Sequence, residues 1–209
     1  TESSAWCSDD VLQPLYEPDV PPMPEFKKGD EVDRWRAGLP RITPLARAAW
    51  GRLLAEREDT RHGVGLRSDG LPDIDWVEIP AGSFLMGSAD EHVTELIEKF
   101  DLDLAKYEKP QHAVELPTFY IARYPITYAQ FEAFKNNDGY QARDFWTNAG
   151  WDWKGDLSEP SWWHDPQWHI LNHPVVGVTW YEAYAFTQWL TATLGFEVQL
   201  PTEQKWEKA

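Results

Sequence analysis

The sequence predicts an α+β domain, and three observations carry that reading. Short β-rich runs (DWVEI, SFLMG, HAVEL, TFYIARY) stand among helical stretches without the regular strand–helix alternation of a parallel sheet. Three helix starts carry a hydroxyl residue followed three positions later by Glu or Gln: Ser88/Glu91, Thr127/Gln130 and Thr179/Glu182. Hydrophobic residues make up 42% of the 209, aromatic ones 14%, which is enough for a core and excludes wholesale disorder.

Residues 1–40 read as an acidic tail or linker. Pro14, Pro18, Pro21, Pro22 and Pro24 forbid helix interiors and sheet ladders there. A helical lead-in over 41–72 follows. Thr43 caps it and Pro44 suits its first position, while Leu45, Ala49, Trp50, Leu53 and Leu54 form an apolar stripe. From about Asp73 to Ala209 the main domain begins with β runs around Pro80-Ala81-Gly82, a hairpin or a tight corner. Ser88 with Glu91 is expected to open a helix carrying Val93, Leu96, Ile97 and Phe100. HAVEL and TFYIARY are strands separated at Pro117, and Thr127 opens the next helix, with Ile126 placed to staple to Phe131. Thr179 opens WYEAYAFTQWLTATL, Gly195 stops it, and FEVQL is expected to return as a strand. Thr202 then caps EQKWEKA, a helix too short to stand alone in water.

Acidic side chains number 35 against 19 basic, a net charge of −16. That argues against nucleic acid, whose phosphates need a basic face. No apolar run reaches membrane-spanning length and no charged-then-apolar leader opens the chain, so the expectation is a cytoplasmic protein with no membrane partner. The single cysteine, Cys7, excludes an internal disulfide and a cysteine-based zinc site, and it reads as an inert thiol. No P-loop, dinucleotide fingerprint, nucleophile elbow or EF-hand spacing is present.

Four motifs in order carry a resemblance: DWVEIPAGSFLMGS, PQHAVELPTFYIARYPITYAQFEAF, HPVVGVTWYEAYAFTQWL and LPTEQKWEKA. Together they resemble the sulfatase-modifying-factor family, which includes formylglycine-generating enzymes and the C-terminal domain of ergothioneine-pathway sulfoxide synthases. The resemblance implies a C-type-lectin-like fold with much irregular loop, here the N-terminal portion of the domain and incomplete at its C-terminus. It also implies that a copper-binding cysteine pair and most calcium ligands belong to the remaining half. This chain itself is therefore expected to carry no cofactor, copper or calcium entering only with that half. Thr187 stands where many members have Cys, Gln199 where Arg is usual, and Lys205 where an acidic residue would complete a box at Thr202.

Nine of the 13 tryptophans fall between Trp146 and Trp206. Trp146, Trp151, Trp153, Trp162, Trp163 and Trp168 are candidate ligand-binding residues, as a platform for a peptide, sugar or cation; the bland alternative is that large rings pin a long loop. His164, His169 and His173, with Asp165 beside them, are weak metal candidates set against hydrogen-bonded histidines. Trp206, Lys205 and Leu200 are candidates for docking a partner. No catalytic residue is assigned.

The first functional expectation is a non-catalytic protein-interaction or regulatory module of a bacterial multidomain signalling or defence system. It would be a cleavage product held to its other half, with a protein partner, the domain's C-terminal remainder, a protease or an effector. The second is part of an active formylglycine-generating oxidase or iron-dependent sulfoxide synthase whose catalytic residues lie on another segment. The third is a lectin-like binder using the Trp-rich loop.

Overall fold

The computed structural model describes residues 43–57 and 59–209, so the Pro-rich tail and Cys7 lie outside the described residues. Among the described residues six helices and four strands are formed: α1 (Pro44–Glu56), β1 (Trp76–Ile79), β2 (Gly82–Met86), α2 (Asp90–Phe100), β3 (His112–Leu116), β4 (Phe119–Ala122), α3 (Tyr128–Asn136), α4 (Asn148–Lys154), α5 (Trp180–Leu194) and α6 (Glu203–Lys208). Single 3₁₀ segments at Asp103–Glu108 and Arg143–Phe145 join them, and irregular loop fills the rest. The architecture is α+β.

The chain divides into two compact units. One holds the described residues up to Ile74 with Tyr124–Phe186; the other holds Asp75–Arg123 and Thr187–Ala209.

In the first unit, Thr43 accepts a hydrogen bond from Ala46 N and caps α1, with Pro44 in its first turn. On α1, Ala46 and Trp50, four apart, are buried, with Ala49, Leu53 and Leu54 half-buried beside them. At α3 the capping box is complete: Gln130 N donates to Thr127 Oγ1 and Thr127 N donates to Gln130 Oε1. Both residues are almost fully buried, so their remaining polar atoms need partners. Thr127 Oγ1 donates to Val64 O (2.8 Å), and Gln130 Nε2 donates to Gly63 O (3.2 Å) and Asp73 O (2.6 Å). One cap thereby fixes the turn 63–73. Above it lies an aromatic core in which Phe131 stacks on Phe186 at 5.4 Å and meets Phe134 edge-on, while Phe134 meets Tyr140. Gly177 (φ 73°) sits where a Cβ would collide with the backbone of Ser161, so this turn of HPVVGV needs glycine.

In the second unit, the hairpin-or-corner alternative at Pro80 resolves as a corner. β1 pairs with β4 and β2 with β3, both antiparallel, in the registers Ile79↔Phe119 and Gly82↔Leu116. The two ladders are successive stretches of one ribbon, broken where Pro80 and Pro117 each lack an N–H. Ala81 N is satisfied instead by Thr118 Oγ1 at 3.0 Å. The corner is tied by α6, whose Lys208 Nζ donates to Pro80 O (2.9 Å) and Gly82 O (2.8 Å).

Two sequence expectations are corrected here. The Ser88/Glu91 box does not form: α2 starts a residue later from Ala89, which makes no side-chain cap bond, while Ser88 N is engaged by Glu108 O. Asp90 and Glu91 in the first turn still oppose the helix dipole favourably. FEVQL forms no strand. Val198 N donates to Thr191 Oγ1 on α5 at 2.9 Å, with Val198 O 3.1 Å from the same oxygen, so a side chain occupies the place of a ladder partner. At Thr202 half a box survives: its hydroxyl accepts from Lys205 N.

Replacing Gln130 by Ala strips the buried Thr127 N and Gly63 O and the part-buried Asp73 O of their partner. The expected loss is about 3 kcal/mol or more, read as a lowered urea midpoint, with amides of 63–73 losing hydrogen-exchange protection.

Candidate functional site

The Trp-rich stretch is built outward from α3. Trp146 is buried and its Nε1 donates to Gly139 O at 2.8 Å, with its ring 5.4 Å from that of Tyr140. Tyr140 Oη donates to Glu182 Oε1 (2.5 Å), and burial, followed by the Glu182 carboxylate, pushes the phenol far above its usual pKa. Glu182 is itself the box residue of α5: its Oε2 accepts from Thr179 N and Oγ1 at 2.8 Å each, and its N donates to Thr179 Oγ1.

Thr147 caps α4 by accepting from Gly150 N. At the other end of α4, Lys154 is 6% exposed and folds back on its own turn. Its Nζ donates to Gly155 O (2.9 Å) and Leu157 O (3.2 Å) and lies 4.5 Å from the ring centroid of Trp151 and 5.9 Å from that of Trp146. The Arg143 guanidinium also lies over Trp151, at 5.6 Å.

Trp163 is buried against Tyr128 and Phe131, and Lys135 Nζ lies 4.9 Å from its ring. Lys135 also donates to Glu159 Oε2 (2.8 Å), and that bond holds the carboxyl below its usual range, helped by His164. Of the remaining candidates, Trp168 is half-buried, while Trp153 (43%) and Trp162 (62%) are exposed. The six rings therefore divide between core and surface.

Exposed Trp153 has company that the sequence reading did not assign to a site. Its ring lies 5.7 Å from Tyr181, which lies 5.7 Å from Trp180, which stacks on Tyr184 at 5.4 Å. Trp180 is 60% exposed. The signal available in the sequence was the four-residue spacing of Trp180 and Tyr184 at the start of a capped helix.

The histidine candidates do separate jobs. His164 Nε2 pairs with Glu159 Oε1 at 2.7 Å. His169 Nδ1 is bonded to Trp163 O, and its ring stacks on Tyr128 at 4.8 Å. His173 accepts Tyr128 N through its backbone carbonyl, and burial, with the nearby Arg52 charge, depresses its imidazole pKa. Among the described residues no group of three or more His, Cys, Asp or Glu side chains is placed to hold a metal.

In the other unit, Lys205 Nζ lies over the Phe119 ring at 5.8 Å, Leu200 is half-buried and Trp206 is 68% exposed. No helix among the described residues is long and apolar enough to cross a membrane.

Against this geometry, the family model for the sulfatase-modifying factor enzyme 1-like domain matches residues 69–209. The hercynine oxygenase of Mycolicibacterium thermoresistibile is 37% identical over 113 residues, 49% of this chain and 24% of the relative. That of Mycolicibacterium smegmatis is 34% identical over 144 residues, covering 64% and 30%. The formylglycine-generating enzyme of Bos taurus is 28% identical over 162 residues, covering 65% and 39%. The chain thus spans between about a quarter and two-fifths of the length of these curated relatives.

Two outcomes follow. Lys154→Met removes the ammonium that donates to Gly155 O and Leu157 O and lies against the Trp151 ring; a loss of about 1–3 kcal/mol in urea unfolding is expected. His173 titrates with its folded pKa below the unfolded 6.5. The unfolded chain then binds the extra proton first, so stability is full above pH 6.5 and falls as pH drops toward the folded value. His173→Gln is expected to flatten the difference in urea midpoint between pH 7.5 and pH 5.5.

Proposed function

The chain belongs to the sulfatase-modifying factor enzyme 1-like domain family, and on that premise we propose that it supplies the framework portion of an oxidase-like domain. In this reading the reacting groups are contributed by other residues of the whole protein. The observation that carries it is the match over 69–209, together with relatives among which two activities are named, hercynine oxygenase and formylglycine-generating enzyme. Those names favour the second sequence expectation over the first, a non-catalytic regulatory unit of signalling or defence.

The donor chemistry of the chain itself is consistent with a framework role. Copper(I) selects soft thiolates, and a sequence with one cysteine, Cys7, has no thiolate pair to offer. The imidazoles of His164 and His169 are already committed to Glu159 and Trp163. The residues present therefore do not fit a resident copper centre. What they do is rigidify. The boxes at Thr127 and Thr179 each bury a charged or amide side chain with its hydrogen-bonding capacity used, which fixes the start of two helices.

A transplant tests this. Residues 69–209 replace the matched segment of the Mycolicibacterium smegmatis hercynine oxygenase, and in parallel that of the Bos taurus formylglycine-generating enzyme. Retention of oxygen-dependent hercynine consumption, or of formylglycine formation, above the background of a segment-deleted protein is the expected outcome. Folded, monodisperse hybrids inactive in both assays would overturn the framework reading.

A further inference from the structure

We propose that buried Tyr140 and Glu182 form a proton-coupled redox site, which takes up the oxidising equivalent of a one-electron oxidant as a neutral tyrosyl radical. The inference stands on the geometry of this pair and not on the framework reading. The two residues are 42 positions apart in the chain, lie within one compact unit and are both buried. They share the 2.5 Å bond from Tyr140 Oη to Glu182 Oε1. Phe134 and Trp146 enclose the phenol, at 5.7 and 5.4 Å between ring centroids.

In the resting protein, burial and then the Glu182 bond keep the proton on the phenol. Loss of one electron turns a phenol into a strong acid, so a base must then be at hand. Tyr140 gives one electron to the oxidant, its O–H bond breaks, and the proton crosses the existing hydrogen bond to Glu182 Oε1. The products are a phenoxyl radical, a neutral carboxylic acid and an oxidant reduced by one electron. Glu182 Oε2 keeps its bonds from Thr179 N and Oγ1, and the new acid O–H donates back to the phenoxyl oxygen. No capping bond is lost. The step also discharges a buried carboxylate instead of creating a buried ion, which favours it in a low-dielectric interior.

The neighbouring rings are poorer places for the same charge. Lys154 Nζ lies 4.5 Å from the Trp151 ring and 5.9 Å from that of Trp146, Arg143 lies over Trp151, and Lys135 over Trp163. A cation on a ring face opposes the positive charge that an indole gains on oxidation. Trp146 Nε1 donates to the Gly139 carbonyl, which is no base. The Tyr128 hydroxyl is buried too, but among the described residues no side chain accepts its proton. Tyr120 repeats the pairing, with Oη 2.6 Å from Glu78 Oε2, yet it is exposed, so its radical would be open to solvent and to coupling with others.

Flash photolysis on the 209-residue chain tests the assignment. Photogenerated tris-bipyridine ruthenium(III) is the one-electron oxidant, with a cobalt(III) ammine as sacrificial acceptor. Transient absorption and freeze-quench electron paramagnetic resonance are expected to show a tyrosyl radical that outlives the surface radicals. It should couple to one exchangeable proton, a coupling lost in deuterium oxide, which reads the bond to Glu182 directly. Tyr140→Phe, which keeps the ring, should lose this radical. Glu182→Gln, which keeps an acceptor oxygen but removes the base, should lose it as well, whereas Tyr120→Phe should leave it in place. Circular dichroism checks that each variant folds; if Glu182→Gln does not, Tyr140→Phe and the exchangeable coupling still decide the matter. Absence of a long-lived radical in the unaltered chain, its survival in Tyr140→Phe or in folded Glu182→Gln, or a radical without the exchangeable coupling would each overturn the proposal.

Discussion

Two helices of this protein begin with a threonine hydroxyl bonded to a backbone N–H three residues on, and with the third residue's side chain reaching back. What sets these boxes apart is that their Gln130 and Glu182 are buried. A buried amide or carboxylate must have its valences met or it costs a few kcal/mol. Each box residue therefore recruits a partner from far along the chain: Gln130 takes the carbonyls of Gly63 and Asp73, and Glu182 takes the phenol of Tyr140. Local helix initiation and long-range closure of the loop thereby become one requirement. The aromatic core of Phe131, Phe134, Tyr140 and Phe186 closes around those two points.

This explains which parts of the fold could be read from the residues. The Thr127 and Thr179 boxes were legible because a four-residue pattern encodes them and the partner is local. Ser88/Glu91 has the same pattern and fails, because Ser88 N is drawn to Glu108 O, a contact between positions twenty residues apart that no pattern encodes. FEVQL has the composition of a strand, yet Val198 is met by a threonine hydroxyl rather than by another strand. β propensity describes a side chain that fits a half-buried surface, not the identity of its partner.

The tryptophans mark the limit of composition as a guide to a site. Six rings in one stretch look alike in sequence, but Trp146 and Trp163 are core residues while Trp153 and Trp162 face water. What separates them is the fate of the neighbouring polar groups. Trp146 can be buried because Gly139 O accepts its N–H, whereas the helical position of Trp180 next to Tyr181 and Tyr184 builds a surface out of residues that no Trp count would group. The histidines show the same thing: similar spacing, three unrelated duties.

The bent ribbon of the second unit has a consequence for life in a crowded solution. A long, straight β-edge invites a neighbour's strand to add to it. Here Pro80 and Pro117 interrupt both arms at the same level, leaving two separate ladders of four and five residue pairs. Neither is long enough to seed edge-to-edge growth, and α6 clasps the bend through Lys208. A ribbon interrupted at its corner offers a neighbour's strand only short edges on which to add.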